Sequence, residues 1–227
     1  MDKISDKSIN IISPKNRTSA IIHIQIFIVN KILQNFYTVD EVINIIAKDN
    51  IVYDPYSLLI SKNVKLGKKN VFYSNVIIKN DSSSVLIIND SNVFSSNVCI
   101  VAENGGEVNV GNNNFFDNGP ISVKANINTS KIVFKDDGRY DGKINIYGIC
   151  EFGSGSQILG NINIYNCKLK SGFSFRHPNP DERAGLIKGC GTAKDLIVPK
   201  GKVINGWNIF DQNKLENQST YHPNKKD

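Results

Sequence analysis

The chain is poor in residues that favour helices. Only six of its 227 residues are alanine, whereas isoleucine occurs 33 times and asparagine 31 times. Isoleucine favours strands and asparagine favours tight turns, so their joint excess predicts many short strands and excludes a helical bundle. Hydrophobic residues make up 40 % of the chain, which is enough to form a core and argues against a disordered protein.

Paired cysteines and common catalytic motifs are also missing. The four cysteines are Cys99, Cys150, Cys167 and Cys190, which lie far apart without a C-x-x-C pair. This spacing argues against a zinc site and predicts reduced, buried thiols in a cytoplasmic protein. The chain has no P-loop, no G-x-S-x-G and no H-E-x-x-H sequence. We therefore exclude phosphoryl transfer and serine hydrolysis, and we expect no metal.

Long apolar runs and blocks of one charge are missing too. The run from Ile21 to Val29 is too short to span a bilayer and contains His23 and Gln25, and no signal peptide precedes it. The net charge of +6 comes from 27 basic and 21 acidic residues spread along the chain. No motif combines basic residues with stacking aromatics. We therefore expect neither a membrane nor a nucleic-acid partner.

The central part of the chain repeats with a period of 22 residues. The copies are residues 66–76 (LGKKNVFYSNV), 88–98 (INDSNVFSSNV) and 110–120 (VGNNNFFDNGP). Three sets of residues correspond between the copies: Leu66, Ile88 and Val110; Asn70, Asn92 and Asn114; Phe72, Phe94 and Phe116. The next copy, around Phe134 and Tyr140, follows 24 residues later.

A shorter period of six residues runs inside each copy. Large apolar residues keep this spacing without a break at Phe134, Tyr140, Ile146, Phe152, Ile158 and Ile164. A 22-residue copy is then three hexads plus four inserted residues, which fall at residues 81–84 and 103–106. The 24-residue step has about six inserted residues, near residues 126–130. Insertions that recur at one place predict loops at one corner of a three-sided coil. The pattern predicts a β-helix whose coils stack about 4.8 Å apart, with an asparagine ladder and an aromatic column.

These hexads, with glycine after Leu66 and Val110, resemble the hexapeptide-repeat proteins. The resemblance covers residues 53–167. It implies an all-β fold: a single-stranded left-handed β-helix with about 22 residues per coil and insertions at the corners. The glycine pattern is incomplete, because Phe152 is the one other hexad residue followed by glycine. A 22-residue period is also typical of right-handed β-helices. The unbroken hexads favour the left-handed form.

We expect three segments along the chain. They are a partly helical head at residues 1–51, a β-helix at 52–210 with a loop at 173–185, and a polar, mobile tail at 211–227. In the head, residues 18–36 fit either a strand or a helix, whereas the capping-box sequence at 38–41 predicts a short helix that ends near Lys48. Trp207 and Phe210 are expected to cap the open end of the β-helix.

The resemblance implies one of two activities. A γ-class carbonic anhydrase binds zinc through three histidines on its coils, but His23, His177 and His222 all lie outside the repeats, which excludes this activity. The family's acyltransferases use a histidine as general base and an acyl-coenzyme A as donor. They are homotrimers with active sites between subunits. We therefore expect an acyltransferase that acts on the amine or hydroxyl of a sugar or nucleotide sugar.

His177 is the candidate base, because it is the one histidine whose neighbours carry charges that could orient it and hold an anionic substrate. Candidates for substrate binding are Arg176, Asp181 and Arg183 in the same loop and Asn126 in a corner loop, and we expect the corner loops at 103–106 and 126–130 to line the acceptor pocket. Candidates for binding a phosphate of coenzyme A or of a nucleotide sugar are Lys188 and Lys194.

An alternative function remains open. Because the coils carry no histidine, the same residues are also consistent with a non-catalytic β-helix that scaffolds an assembly or binds a ligand.

Overall fold

The structure is a computed structural model that describes residues 35–222. His23, most of the ambiguous segment 18–36 and residues 223–227 lie outside the described residues. The described chain is mostly strand, and the strands pair in parallel between successive coils. The prediction of an all-β parallel helix is therefore confirmed.

The strands form three faces. Face A consists of β1 Ile51–Val52, β4 Val71–Phe72, β7 Val93–Phe94, β10 Phe115–Asp117 and β13 Arg139–Asp141. Face B consists of β2 Leu59–Ile60, β5 Ile77–Asn80, β8 Cys99–Ala102, β11 Ile121–Ala125 and β14 Ile144–Tyr147. Face C consists of β3 Lys65–Leu66, β6 Val85–Ile88, β9 Glu107–Val110, β12 Lys131–Phe134, β15 Ile149–Phe152, β17 Lys168–Leu169 and β19 Ile197–Val198.

Three long strands join face A to face B in the last coils. They are β16 Gln157–Tyr165, β18 Leu186–Lys194 and β20 Lys202–Ile209. Gly160 and Gly189 allow the bend in β16 and β18, with φ of +128° and +126°. A Cβ on Gly160 would lie 2.0 Å from the carbonyl oxygen of Gly189, so a side chain there would separate the two coils.

The hexad residues point into the core, as predicted. Phe72, Phe94 and Phe116 are fully buried, and successive ring centroids are 5.2 Å apart. Tyr140 continues the column, with its ring centroid 5.0 Å from that of Phe116. On face C, Leu66 pairs with Ile88, and Ile88 pairs with Val110. The six-residue period therefore identified the inward-facing positions.

The asparagine ladder is also confirmed. Asn92 is fully buried, and its Nδ2 donates to Oδ1 of Asn70, to the carbonyl of Asn89 and to the carbonyl of Gly111. Its Oδ1 accepts hydrogen bonds from both the backbone N–H and the Nδ2 of Asn114. The Asn92 side chain thus satisfies backbone groups of its own corner and of the corner in the next coil.

The predicted insertions form stacked loops at the corner between faces B and C. The Asp81 carboxylate accepts the backbone N–H of Asn104 in the next coil at 2.8 Å, and Asn104 Nδ2 reaches the carbonyl of Asn126 in the coil after that. The pKa of Asp81 is lowered to about 2, because hydrogen bonds stabilise its charged form, and the bond from the Asn104 N–H contributes most.

The head begins its helix where the capping box predicts. Thr38 N–H donates to the Glu41 carboxylate, and Glu41 N–H donates to the Thr38 hydroxyl. The helix α1, Val39–Glu41, widens into a π-helical segment at Val42–Ile46. This segment is rich in β-branched residues, which crowd the preceding turn of a regular α-helix. Val42 and Ile46 are buried in the core.

The C-terminal end differs from the predictions in two respects. Phe210 is buried as expected, but Trp207 is 76 % exposed, so the prediction that Trp207 caps the core is wrong. The described part of the tail is ordered by pairing: β21 Leu215–Asn217 runs antiparallel to β20, and the buried Gln218 donates to the carbonyl of Ala184. Three short 3-10 helices complete the described chain, at Pro180–Glu182, Gln212–Lys214 and Gln218–Thr220.

The four cysteines are free, and burial separates them into two pairs. Cys150 and Cys167 are buried as predicted, whereas Cys99 and Cys190 are half-buried, so the prediction is wrong for these two. Both half-buried residues occupy strand positions that face outward. Burial raises the pKa of the Cys150 thiol to about 12 and also raises that of Cys167.

We predict that Asn92→Ala destabilises the fold, because it leaves backbone groups of two corners without partners. The free energy of unfolding should fall by about 2–3 kcal/mol, measured by urea denaturation followed by circular dichroism. Asn161→Ala is the matched control, since Asn161 is exposed on strand β16 and should change stability by less than about 0.5 kcal/mol. Equal stability of the two variants would contradict a supporting role for the ladder.

Candidate functional site

The loop between β17 and β18 forms a cleft against the outer surface of face A. Residues 172–176 lie over strands β10 and β13 and enclose two adjoining cavities of about 300 and 290 Å³. We call this space the loop cleft. Side chains of both the loop and the coils line it: Asn113, Phe115, Asp117, Asp137, Arg139, Phe173, Ser174, Phe175 and Arg176.

Phe175 contacts two arginines, of which Arg139 on strand β13 connects the loop to the coils. The guanidinium of Arg139 lies 5.2 Å from the centre of the Phe175 ring, and that of Arg176 lies 5.1 Å from it. Arg139 also forms an ion pair of 2.6 Å with Asp141. Within residues 35–222 no carboxylate pairs with Arg176, which is exposed at the cleft. An anionic group of a ligand could therefore bind there.

His177 lies beside the loop cleft in a fixed orientation. Its ring stacks on that of Phe173, with centroids 4.2 Å apart and an interplanar angle of 7°. Its Nδ1 is 3.2 Å from the backbone carbonyl of Asn179. A carbonyl can only accept, so neutral His177 carries its proton on Nδ1 and leaves Nε2 as a proton acceptor.

Other polar contacts hold the loop in place. Arg183 Nε donates to the carbonyl of His177 at 2.8 Å. Asp181 accepts the backbone N–H of Ser219 at 3.0 Å, which ties the loop to the C-terminal segment. Glu182 forms an ion pair with Lys200. Arg183 and Asp181 are thus occupied in supporting the loop, whereas the sequence predicts that they bind substrate.

Asn126 lies at a different corner of the coil from His177. It follows β11 on face B and precedes β12 on face C, whereas the loop connects face C to face A. The corner loops at 103–106 and 126–130 therefore do not line a pocket with His177 within one chain. That these loops line the acceptor pocket stays a prediction, because contacts within one chain do not test a site shared between subunits.

Lys188 and Lys194 are also not brought together. Lys188 lies on the face A part of β18, with its ammonium 3.3 Å from the centre of the Tyr221 ring. Desolvation lowers its pKa, and Glu216 opposes this shift. Lys194 lies on the face B part of the strand, near Tyr165 and Asp195. The two residues therefore cannot form one phosphate site in a single chain.

A second groove lies on face C, next to the same corner. It has a volume of about 410 Å³, with Ile87, Asn109 and Val133 among its lining residues. Its lining also includes Gly111 and Asp136, while the loop cleft includes Asn113 and Asp137. The groove and the cleft thus adjoin around the corner between faces C and A.

Sequence reasoning missed the residues that the coils contribute to the cleft. Phe115, Asp117 and Arg139 occupy outward positions of strands β10 and β13. The hexads mark Phe116 and Tyr140 as inward, so their neighbours had to face outward. Nothing in the repeat indicates that the loop would fold over these two strands.

Two features are absent from the described part of the chain. Residues 35–222 contain no group of three or more histidine, cysteine, aspartate or glutamate side chains that could hold a metal ion. No helix among them has the length and hydrophobicity that crossing a membrane requires.

We predict that neutral His177 is the Nδ1–H tautomer, because the Asn179 carbonyl accepts from that atom. Long-range ¹⁵N–¹H correlation spectra of the neutral ring should show this pattern. His222 is the control, since its exposed ring makes no hydrogen bond within residues 35–222 and should favour the Nε2–H form, as free imidazole does. An Nε2–H tautomer at His177 would show that the contact with Asn179 is not formed.

Comparisons with known proteins add no family assignment. No protein-family model matches the chain, and no curated protein is significantly similar to it in sequence. The function is therefore argued from the fold, the loop cleft and His177.

Proposed function

We propose that this chain is an acyltransferase that moves an acyl group from acyl-coenzyme A to the amine or hydroxyl of a sugar or nucleotide sugar. The observation that carries the proposal is the His177 ring, stacked on Phe173 with Nδ1 at 3.2 Å from the Asn179 carbonyl, beside a cleft of polar and aromatic side chains. A general base needs this arrangement: a fixed ring, an accepting nitrogen and space for an acceptor next to it.

The fold supports the same proposal. The hexads that resemble the hexapeptide-repeat proteins are the inward positions of the coils, and Tyr140 pairs with Ile158 after three hexads. Residues with positive φ recur at one corner of successive coils: Lys69, Ser91, Asn113 and Asp137. This regularity favours a left-handed winding, which is part of the proposal.

In the proposed reaction, the amine nitrogen or hydroxyl oxygen of the acceptor sugar attacks the thioester carbon. Nε2 of His177 takes the proton from this attacking group. The tetrahedral intermediate then collapses, the carbon–sulfur bond breaks, and the leaving thiolate takes the proton from the imidazolium. The products are the acylated acceptor and the free thiol of coenzyme A. Arg183, bound to the His177 carbonyl, positions the base and does not touch the reacting atoms.

The groove on face C suits the donor. Ile87 and Val133 offer apolar surface to the pantetheine arm, and the amide of Asn109 can bond one of its peptide groups. The groove meets the loop cleft at the corner, so a thioester at the end of the arm would reach an acceptor in the cleft. Arg176 binds a phosphate of the donor or of a nucleotide-sugar acceptor. Arg176 thus takes the place of Lys188 and Lys194 as the proposed phosphate-binding residue.

The proposal includes a cytoplasmic homotrimer that packs through face B. Three exposed residues lie on this face or its edge in the last coils, Tyr165, Trp207 and Ile209, and the last is 81 % exposed. A flat sheet face with such residues is suited to pairing by symmetry. Packing through face B leaves the corner between faces C and A open.

A non-catalytic ligand-binding protein is the second candidate. It is favoured by one observation: among residues 51–209, His177 is the one histidine, and it lies in a loop and not on a coil. Binding of a sugar or nucleotide sugar without any release of thiol from acyl-coenzyme A would support this candidate.

We predict that His177→Ala lowers turnover by about 100-fold or more, because no side chain then takes the proton from the attacking amine or hydroxyl. The assay measures release of coenzyme A thiol from acetyl-coenzyme A with a panel of amino sugars and nucleotide sugars. His222→Ala is the matched control and should keep full activity, and both variants should melt within a few degrees of the unmodified chain. Full activity of His177→Ala would refute the assigned base.

We also predict a particle of about 76 kDa, three chains of 25.2 kDa, in sedimentation equilibrium at micromolar concentration. Trp207→Asp with Ile209→Asp should give the monomer, because two charges would be buried in the face B contact. Val85→Asp places a charge on face C and should leave the trimer intact. A 25.2 kDa monomer of the unmodified chain would contradict the trimer.

A further inference from the structure

Glycine follows asparagine at three places in the chain, which are residues 104–105, 118–119 and 205–206. In such a pair the backbone nitrogen of the glycine can attack the amide carbon of the asparagine side chain, because glycine has no side chain to hinder the approach. The attack requires that the side chain and the next peptide group can turn toward each other. The hydrogen bonds of each pair therefore decide whether it can react.

The first pair is held at both of its reacting groups. Nδ2 of Asn104 donates to the carbonyl of Asn126 at 3.1 Å. The N–H of Gly105 lies 3.2 Å from the hydroxyl of Ser83 and 3.0 Å from that of Ser84. The stacked corner loops thus fix the amide and the attacking nitrogen in separate hydrogen bonds, and this pair is protected.

The last pair is held by a strand. Asn205 and Gly206 lie in β20 and pair with Lys188 and Gly189 of β18. Nδ2 of Asn205 also donates to the Tyr221 hydroxyl at 3.3 Å. A rotation of the Gly206 peptide would break the pairing of two strands, so this pair is protected as well.

The middle pair has neither kind of protection. Asn118 is exposed at the corner between β10 and β11, and its backbone N–H donates to Oδ1 of Asp117 at 2.8 Å. Within residues 35–222 the Asn118 side chain makes no hydrogen bond, and the Gly119 N–H has no acceptor. Neither reacting group therefore has to break a hydrogen bond before the attack.

We propose that Asn118 is a site of intramolecular deamidation. Hydroxide removes the proton of the Gly119 N–H, and this nitrogen attacks Cγ of Asn118. The bond from Cγ to Nδ2 then breaks, and Nδ2 takes a proton from water and leaves as ammonia. Water opens the resulting five-membered imide at either carbonyl, which gives aspartate or isoaspartate at position 118. The reaction needs no partner and is independent of the proposed acyl transfer.

The two products differ in how well the corner accommodates them. Asn118 has a φ of +55°, a left-handed conformation that asparagine and aspartate both adopt. Asp137 and Asp195 have φ values of +60° and +56°, so an aspartate can keep this backbone. Isoaspartate instead inserts a carbon into the backbone between β10 and β11. Either product adds a negative charge beside Asp117, which lines the loop cleft.

Peptide mapping of the full chain after incubation at mildly alkaline pH tests the proposal. Mass spectrometry detects the replacement of an amide NH₂ by OH at each of the three pairs. In the folded chain Asn118 should convert at least about tenfold faster than Asn104 and Asn205. An unconverted Asn118, or conversion of either other asparagine at the same rate, would overturn the proposal.

The same incubation in urea separates the effect of the fold from that of the sequence. Unfolding removes the hydrogen bonds of the two protected pairs, so all three pairs should then convert at similar rates. If Asn104 and Asn205 stayed slow in the unfolded chain, the neighbouring sequence and not the structure would protect them. The structural basis of the proposal would then be refuted.

Two variants identify the residue by a second measurement, the isoaspartate content of the aged chain. This content is determined by enzymatic methylation of isoaspartyl carboxylates. Asn118→Gln should remove most of it, because glutamine would have to form a six-membered ring. Asn104→Gln is the matched control and should leave the content unchanged. The opposite result for the two variants would place the reaction at Asn104 and overturn the assignment.

Discussion

Each coil depends on the backbone hydrogen bonds that it exchanges with the coils before and after it. This pairing holds the inward residues in register even where the number of residues between them changes. The interval is 22 residues from Phe94 to Phe116 and 29 residues from Ile158 to Ile187. Because the strands have to stay paired, extra residues leave the coil at a corner. The longest of these insertions is the loop that carries His177, so the candidate site lies where the repeat is most strongly interrupted.

Much of the fold follows from the sequence because the same environment recurs in every coil. A six-residue period repeats the burial of each face, which is why Phe72, Asn92 and Val110 could be assigned inward positions and partners before the structure was considered. The insertion loops follow from the same count. The capping box at Thr38 follows from local hydrogen bonding alone, while the widening of the helix after Glu41 does not.

The candidate site could be predicted only in part, because it depends on contacts between non-repeating and repeating residues. His177 was identifiable by its residue type, but its stacking on Phe173 and the docking of Phe175 against Arg139 depend on the path of the loop. Some of the positions could have been predicted more closely. Lys188 and Lys194 are six residues apart, so the hexad period alone implies that they lie on neighbouring faces. Trp207 was expected to cap the open end of the β-helix together with Phe210, but only Phe210 is buried.

The direction of strand β21 has a consequence for assembly. A parallel β-helix that ended on a bare coil would present an edge to which another parallel coil could add, and repeated addition would produce a filament. Here the last coil is covered along Lys202–Ile204 by a strand that runs the opposite way. A second chain that approached this part of the end would meet a strand of the wrong polarity to continue the parallel pattern. The antiparallel strand β21 thus opposes end-to-end growth into a filament.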